Sequence, residues 1–282
     1  MSEVVPTNET AATLKAQADD AAAEGETFGS FAKFVLKLVI AVLIFRIFLF
    51  SPFNIPSESM LPRLMNGDYL LASKWSYGFS KHSFWPVSPP WDGRILASQP
   101  ERGDVVIFKH PVDGVDYIKR VIALPGDTIA MRDGVPILNG EALPREQMDD
   151  FIVHVSPNTS CAWGAVADTT AEGEDICRYR RYRETLPGGR TYQVLDFGTL
   201  PQDNYRPAVV GEGEMFLMGD NRDNSQDSRF RAQAGGGLAM VPQELLVGEA
   251  QVIVWSTDGG AEWIKPWTWF TAARWGRIGD GL

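Results

Sequence analysis

The sequence has little histidine and little cysteine, with three of the first and two of the second among 282 residues. Neither residue type shows the paired spacing of zinc sites, and the sequence predicts no metal and no cofactor. Basic residues are also fewer than acidic ones, 26 against 36, which gives a formal net charge of -10. Proteins that bind nucleic acids need basic surfaces to displace counterions from phosphates, so we expect no nucleic-acid partner.

Helical periodicity is scarce after about residue 53, whereas turn residues are frequent, with 27 glycines and 18 prolines. Short runs of Val, Ile, Leu, Phe and Tyr lie between them, which favours an antiparallel β-rich body and a mainly β fold class. Strands are predicted over residues 68–73, 104–109, 117–124, 135–138, 191–195, 214–218 and 250–255, the second and third forming a hairpin.

One segment, residues 131–213, is more polar than its flanks and holds both cysteines. We interpret it as an inserted, smaller β subdomain, with residues 54–130 and 214–282 folding together around it. In an oxidising compartment Cys161 and Cys177 would form a disulfide, whereas in a reducing one they would remain thiols. Their spacing alone favours neither state.

A long apolar run without charges is absent as well. Residues 31–50 read FAKFVLKLVIAVLIFRIFLF, in which Lys33, Lys37 and Arg46 interrupt the apolar side chains. These cations lie near the ends of the run and can reach lipid headgroups, so we expect a single transmembrane helix over residues 30–53. The lysines at its N-terminal flank predict a cytoplasmic N-terminus and an exported body. An amphipathic surface helix or a buried core helix is the alternative.

The chain before this run carries six acidic groups and one lysine. So much like charge with so little apolar surface does not support folding, and residues 1–29 are predicted to be a disordered acidic tail in the cytoplasm. Export of the body would make a disulfide between Cys161 and Cys177 the favoured state.

Tryptophan is concentrated near the C-terminus, in the segment EWIKPWTWFTAARW at residues 262–275. Aromatic rings with one polar edge favour the interface between a membrane and water, which is one interpretation of this cluster. Ordinary core packing of a terminal segment is the other.

Two serines follow the apolar run, in the segment SPFNIPSESMLPRL. Ser57 and Ser59 lie between prolines, so this stretch is neither a regular helix nor a central strand. A nucleophilic serine needs a base, yet His82, His110 and His154 form no triad pattern and G-x-S-x-G is absent. A different base is therefore required if either serine is a nucleophile.

The other available base is a lysine made neutral by burial. Lys119 lies in the apolar run YIKRVIAL, where strand alternation sends Lys119 and Arg120 to opposite faces, so that one of them points inward. Desolvation lowers the pKa of a lysine, whereas an arginine stays charged, which makes Lys119 the candidate general base. A snorkelling or ion-paired strand residue is the alternative for Lys119 taken alone.

A polar segment, GDNRDNSQDSR at residues 219–229, follows the predicted strand EMFLM. Asp, Asn, Ser and Gly at this density are typical of a tight loop whose side chains hydrogen-bond their own backbone. Taken alone, the segment predicts a structural loop.

Together these segments resemble the successive signature boxes of bacterial type I signal peptidases, or leader peptidases, in the family's order. The matching stretches are IPSESMLP with GDYLLASKWSYG, then RGDVVIFKHP with DYIKRVIALPGD, and then MGDNRDNSQDSR. The resemblance implies a membrane-bound serine endopeptidase of the bacterial inner membrane that removes N-terminal signal peptides by acyl-enzyme chemistry with a Ser/Lys dyad. Residues 54–130 and 214–282 would form its periplasmic catalytic domain.

The resemblance also implies roles for individual residues. It makes Ser59 the nucleophile and Lys119 the general base, and it places the Ser57 hydroxyl in the oxyanion hole beside the backbone N–H of Ser59. It implies that Ser225 orients the lysine amine. Asp227 and Arg229 would hold the loop of the third box in place.

An apolar substrate groove follows from the same boxes. Such a groove accepts small side chains in the Ala-x-Ala pattern of cleavage sites. The partners that the resemblance implies for the protein are exported preproteins and the lipid bilayer. The peptide is expected to bind extended. The groove residues implied by position are Phe53, Ile55, Pro56, Met60, Leu64, Leu70, Ile107, Tyr117 and Ile118.

Two positions depart from the commonest pattern of the family. Glu58 occupies a place often taken by Gly, and Arg63 one often taken by Thr. A carboxylate that pointed inward would raise the pKa of the lysine, and we expect Glu58 to face solvent instead.

Three other interpretations fit parts of the same pattern. A self-cleaving serine-lysine repressor would need an Ala-Gly or Cys-Gly bond upstream of Ser59, and neither occurs. A related processing peptidase would have a site that looks alike. An anchored periplasmic binding or assembly module would use the serine, the lysine and the loop structurally only, and the presence of all three boxes argues against it.

Overall fold

The computed structural model describes residues 28–84, 89–162, 164–262 and 264–282. It has two compact units, Met1–Arg46 and Ile47–Leu282. All but the last two residues of the predicted acidic tail lie outside the described residues. In the first unit residues 28–44 form helix α1. Within the ranges described, no helix combines the length and the apolar character that crossing a membrane requires.

The N-terminal helix is shorter than the predicted span of residues 30–53. After α1 the chain forms a π-helical turn, Phe45–Leu49, and then strand β1, Phe50–Asn54. The prediction was wrong at this end because Pro52 cannot donate a backbone hydrogen bond and clashes within a helix, whereas an edge strand tolerates it. Strand β1 is such an edge of the main sheet.

Antiparallel strands dominate the second unit, which confirms the mainly β prediction. The strands that follow β1 are β2 Asp68–Ser73, β3 Phe79–Ser80, β4 Arg94–Ile95, β5 Val105–Lys109, β6 Asp116–Ala123, β7 Thr128–Arg132, β8 Val135–Leu138, β9 Glu141–Ala142, β10 Arg145–Gln147, β11 Phe151–His154, β12 Val166–Thr169, β13 Asp175–Tyr179, β14 Arg181–Thr185, β15 Thr191–Leu195, β16 Tyr205–Val209, β17 Glu214–Met218, β18 Val241–Pro242 and β19 Leu246–Ser256. A short helix, α2 Trp267–Thr271, follows β19.

The main sheet has the order β1-β2-β19-β5-β6-β17-β18. The predicted strands appear within one residue of their expected bounds, except that the last is longer than predicted and forms β19. The predicted hairpin is confirmed as well, since β5 and β6 pair antiparallel with Val106 opposite Lys119. An apolar cluster that includes Leu70, Val105 and Ile253 packs against this sheet.

The segment predicted as an insertion leaves the main sheet after β6 and returns at β17. Between them lie three smaller sheets, β10-β14-β15, β11-β13-β12 and β16-β7-β8-β9. These sheets belong to the same compact unit as the main sheet. A disulfide joins Cys161 to Cys177, with Cys177 on β13 fully buried. Its cluster of buried apolar residues also contains Leu61, two positions after Ser59.

Candidate active site

Ser59 lies in a tight turn between β1 and β2. The turn is closed by backbone hydrogen bonds from Leu61 N–H to the Glu58 carbonyl, at 3.1 Å, and from Leu64 N–H to the Met60 carbonyl, at 2.9 Å. The side chains of Met60 and Leu64 are fully buried in the apolar cluster below. Because the residues after Ser59 are fixed by burial, the serine hydroxyl has a defined position.

Lys119 reaches this hydroxyl from β6. Its Nζ lies 2.7 Å from Ser59 Oγ and 3.1 Å from the carbonyl oxygen of Ile118. The lysine is only 3% exposed, and this burial lowers its pKa from 10.5 to about 8, while the charges of Asp227 and Asp220 oppose the shift. An amine with this pKa is neutral in a useful fraction of molecules near neutral pH, as a general base must be.

Arg120, the next residue of β6, is also buried, which contradicts the expectation that just one of the two cations points inward. The expectation was wrong because both faces of β6 are covered. Arg120 Nε and Nη2 donate to the Asp220 carboxylate at 2.8 and 2.6 Å, and its guanidinium lies 4.8 Å from the centre of the Tyr192 ring. The pairing with Asp220 makes burial of the guanidinium tolerable.

The polar loop 219–229 holds the backbone around the serine. Asn221 N–H donates to the Ser59 carbonyl at 3.0 Å, and its Nδ2 donates to the Glu58 carbonyl at 3.0 Å. Gly219 packs so closely that an added Cβ would lie 2.5 Å from the Ser59 carbonyl oxygen. This role of Asn221 could not be predicted, since an asparagine in a polar loop has no local signal for a partner so far away in the chain.

A buried ion pair shapes that loop. Arg229 Nε and Nη2 each lie 2.9 Å from the Asp227 carboxylate, and both side chains are fully buried. Asp227 also accepts from Gly219 N–H at 3.1 Å, and Arg229 donates to the Arg222 carbonyl at 2.5 Å. These bonds join the start, middle and end of the loop.

Ser225 lies at the site without the hydrogen bond expected of it. Its hydroxyl is buried and has no hydrogen-bond partner among the described residues, Lys119 included. It packs beside Gly219 instead. The lysine amine is therefore oriented in this structure by Ser59 and by the Ile118 carbonyl.

A groove of about 490 Å³ opens beside the serine and the lysine. Six of the nine predicted groove residues line it, namely Phe53, Ile55, Pro56, Ile107, Tyr117 and Ile118, together with Ser57, Ser59, Lys119, Asn54, Val115, Asp116, Asn224 and Gln226. Met60, Leu64 and Leu70 were predicted to line it, but they are fully buried in the apolar cluster instead. An apolar residue in a matching box can support a groove as readily as line it.

Two donors lie near the serine hydroxyl. Ser57 Oγ is 3.5 Å from Ser59 Oγ, and the backbone N–H of Ser59 has no acceptor among the described residues. A hydroxyl and a backbone N–H in this position resemble the donors that stabilise an oxyanion.

A family model described as signal peptidase, peptidase S26, matches residues 28–255. The chain belongs to this signal peptidase family. It is 38% identical to a signal peptidase I of Rickettsia typhi over 237 residues, which cover 80% of each chain. It is also 38% identical to a signal peptidase I of Rickettsia prowazekii over 242 residues, 82% of this chain and 80% of the other.

Among solved structures, a signal peptidase I from Enterococcus faecalis V583 is similar over 54% of this chain and 97% of its own, at 24% identity and a TM-score of 0.27. Membership of the family makes this chain a hydrolase, a serine peptidase that removes signal peptides.

Glu58, which precedes Ser59, is partly buried, whereas it was expected to face solvent. Burial raises the pKa of its carboxyl, and the charge of Glu58 contributes in turn to a raised pKa of Tyr179. The side chain is thus close enough to interact with Tyr179 on β13.

A second buried network joins the loop 219–229 to strands β14 and β15. Arg222 donates to both oxygens of Glu184, at 2.9 and 2.5 Å, and the Tyr192 hydroxyl donates to the same carboxylate at 2.7 Å. Arg222 and Glu184 are almost completely buried. Removal of one partner from such a pair costs about 3–5 kcal/mol, so the loop that supports Ser59 depends on β14 and β15. Neither residue was predicted from its position in the sequence to form such a pair.

Proposed function

We propose that this peptidase cleaves exported preproteins with Ser59 as nucleophile and Lys119 as general base. The observation that carries the proposal is the 2.7 Å contact between Lys119 Nζ and Ser59 Oγ at the edge of the groove. The two residues are 60 positions apart in the chain, and Lys119 is buried with a lowered pKa. A nucleophile within hydrogen-bond reach of a base is the arrangement that acyl transfer requires.

The chemistry follows from these positions. Ser59 Oγ attacks the carbonyl carbon of the scissile bond as its proton passes to neutral Lys119, and the oxyanion accepts hydrogen bonds from Ser57 Oγ and the Ser59 backbone N–H. The lysine ammonium then donates its proton to the departing amine, which frees the mature protein. Water, deprotonated by Lys119, attacks the ester and releases the signal peptide as a carboxylic acid with Ser59 regenerated.

The groove supports a preference for Ala-x-Ala cleavage sites. Its wall combines apolar side chains from β1 and from the β5–β6 hairpin with the catalytic pair. Alternate side chains of an extended peptide point to the same face, so the first and third residues before the scissile bond would enter the groove together. We propose that these positions accept small side chains and that the peptide binds as an added strand.

The pH dependence of cleavage tests the identity of the base. The base form of Lys119 is the neutral amine, so with a pKa of about 8 the value of kcat/KM should rise about tenfold per pH unit below pH 8 and level off above it. A histidine base would level off near pH 6.5. Cleavage of a purified preprotein in detergent between pH 5.5 and 9.5 measures this profile. A plateau that begins at or below pH 7 would exclude a lysine with this pKa.

We further propose that the peptidase is bound to the bacterial inner membrane by a single N-terminal pass, with the N-terminus in the cytoplasm and the catalytic body in the periplasm. The apolar side chains of α1 are largely exposed, as are Ile264, Trp267 and Phe270 near the C-terminus. Exposed apolar and aromatic surface of this extent favours lipid.

Cell fractionation tests this location. We expect the full chain to stay in the membrane pellet after an alkaline carbonate wash, and the body to be digested by protease added outside spheroplasts. Release into the supernatant, or protection of the body until lysis, would contradict the proposed anchoring and orientation respectively.

A further inference from the structure

A second cavity, of about 390 Å³, shares no lining residue with the substrate groove. Its wall is unusually rich in arginine for a protein with a net charge of -10. Four arginines line it, namely Arg63, Arg120, Arg183 and Arg190, against two acidic residues, Asp104 and Glu249.

Three of these arginines already have carboxylate partners. In each case the carboxylate belongs to a neighbouring strand or loop and already balances the charge of the guanidinium. The pairs are Arg120 with Asp220 at 2.6 Å, Arg190 with Asp104 at 2.6 Å and Arg183 with Glu146 at 3.2 Å.

Arg63 differs from the other three. Among the described residues its guanidinium has neither a hydrogen-bond acceptor nor a carboxylate within ion-pair distance, although the side chain is half buried. Arg277 donates to the Arg63 carbonyl at 2.9 Å and itself occupies the carboxylate of Asp68. The residue is thus held in place at the cavity wall, and a guanidinium has five N–H donors to offer a ligand.

The acidic residues of the wall do not neutralise Arg63. Asp104 accepts from Arg190 and, at 2.8 Å, from the Tyr77 hydroxyl. Glu249 accepts from Gln251 at 2.7 Å, and burial raises the pKa of its carboxyl. Burial lowers the pKa of Arg63, and the charge of Asp280 opposes that shift without an ion pair between the two side chains. Among the described residues, Arg63 is therefore the one arginine of the cavity wall that has no ion-pair partner.

We propose that this cavity binds a phosphate group, with Arg63 as its principal ligand. A guanidinium fork matches two oxygens of a phosphate, and the neighbouring Thr191 and Gln193 offer a hydroxyl and an amide for the third. The volume exceeds that of one phosphate, so there is room for an attached organic group. The sources of such a group are free phosphate compounds and phospholipid headgroups.

Isothermal titration of the full chain in a phosphate-free, zwitterionic detergent at constant ionic strength tests the site, with inorganic phosphate as the probe. We expect saturable binding that Arg63→Gln weakens by about tenfold or more, because a hydrogen-bonded charge is lost. The Arg63→Lys variant keeps the positive charge but loses the forked pair of donors, so its phosphate affinity should lie between those of the wild type and Arg63→Gln. The matched control is Arg132→Gln, since Arg132 is exposed and does not line the cavity.

These binding measurements use no preprotein, so their results do not depend on the proposed catalytic mechanism. Tighter, Arg63-dependent binding of dihexanoyl phosphatidate than of inorganic phosphate would identify a lipid headgroup as the source, and the reverse order a free phosphate. Acetate binding as tightly as phosphate would overturn the assignment to phosphate. Absence of phosphate binding by the wild-type chain would overturn the site. So would Arg63→Gln and Arg63→Lys variants that remain folded by circular dichroism and bind phosphate as tightly as the wild type does.

Discussion

Replacement of Ser59 by alanine is expected to lower the cleavage rate of a preprotein by ~10⁴-fold or more. In the proposed mechanism the hydroxyl forms the acyl-enzyme, and no other described group accepts a hydrogen bond from Lys119 Nζ except the carbonyl oxygen of Ile118. The substitution removes one oxygen from a partly exposed turn, so the fold should survive. Gel analysis of preprotein and mature protein over a time course in detergent measures the loss.

The neighbouring serine supplies a matched control. Ser57→Ala removes the same hydroxyl two residues earlier, 3.5 Å from Ser59 Oγ, and should cost only ~10²–10³-fold in kcat, as loss of one oxyanion donor does. If Ser59→Ala retained the activity of the Ser57→Ala variant, Ser59 could not be the nucleophile. If Ser57→Ala were the inactive one, the two roles would be reversed.

Replacement of Lys119 by methionine should reduce kcat/KM by ~10³-fold or more at every pH, since no base would remain beside Ser59. Methionine has a similar length and places no charge in a site where the lysine is 3% exposed. The variant should therefore be at least as resistant to thermal unfolding as the wild type, because the cost of burying an amine is removed. Retained activity together with retained folding would exclude Lys119 as the base.

Two comparisons make this result specific. Lys81→Met removes an exposed lysine that pairs with Asp92, and it should leave cleavage unchanged. Substitution of His82 and His154 should also leave cleavage unchanged, since none of the three histidines hydrogen-bonds Ser59 within the described part of the chain. His110 is buried against the ring of Tyr117 and is better left intact in such a variant.

Much of the strand pattern could be predicted because it is encoded locally. Runs such as residues 135–138 and 214–218 are mostly apolar and lie between glycine or asparagine residues, and both became strands with those bounds. The helix end was misjudged because the apolar run continues through Pro52, and hydropathy does not register that proline favours an edge strand over a helix.

The candidate site depended on more than local pattern. Ser59 and Lys119 were paired through resemblance to a family, and alternation along β6 alone would have left Lys119 and Arg120 equivalent, since both are buried. What distinguishes them is their partners, the Ser59 hydroxyl for one and Asp220 for the other. These contacts join residues 60 and 100 positions apart, and sequence periodicity carries no information on such distances.

The contacts that support the proposed nucleophile could not be predicted for the same reason. Asn221 donates to the carbonyls of Glu58 and Ser59 across about half the chain, and Arg222 pairs with Glu184 of the inserted segment. Conversely, Leu70 matches a family box and still lies in the core. Which face of an element a residue occupies follows from tertiary packing, so position in a motif could identify six residues that line the groove but could not separate them from the three that lie in the core.

The most direct test of the central claim is to replace the base chemically and follow the pH profile. Lys119→Cys introduces the one free thiol of the chain, because Cys161 and Cys177 are joined in a disulfide. Its reaction with 2-bromoethylamine gives a thioether analogue of lysine, whose amine is slightly more acidic than that of lysine. We expect the unmodified variant to be inactive, and the modified one to regain cleavage with the rise of kcat/KM displaced to lower pH. Full activity without the amine, or restored activity with an unchanged profile, would contradict a lysine base at position 119.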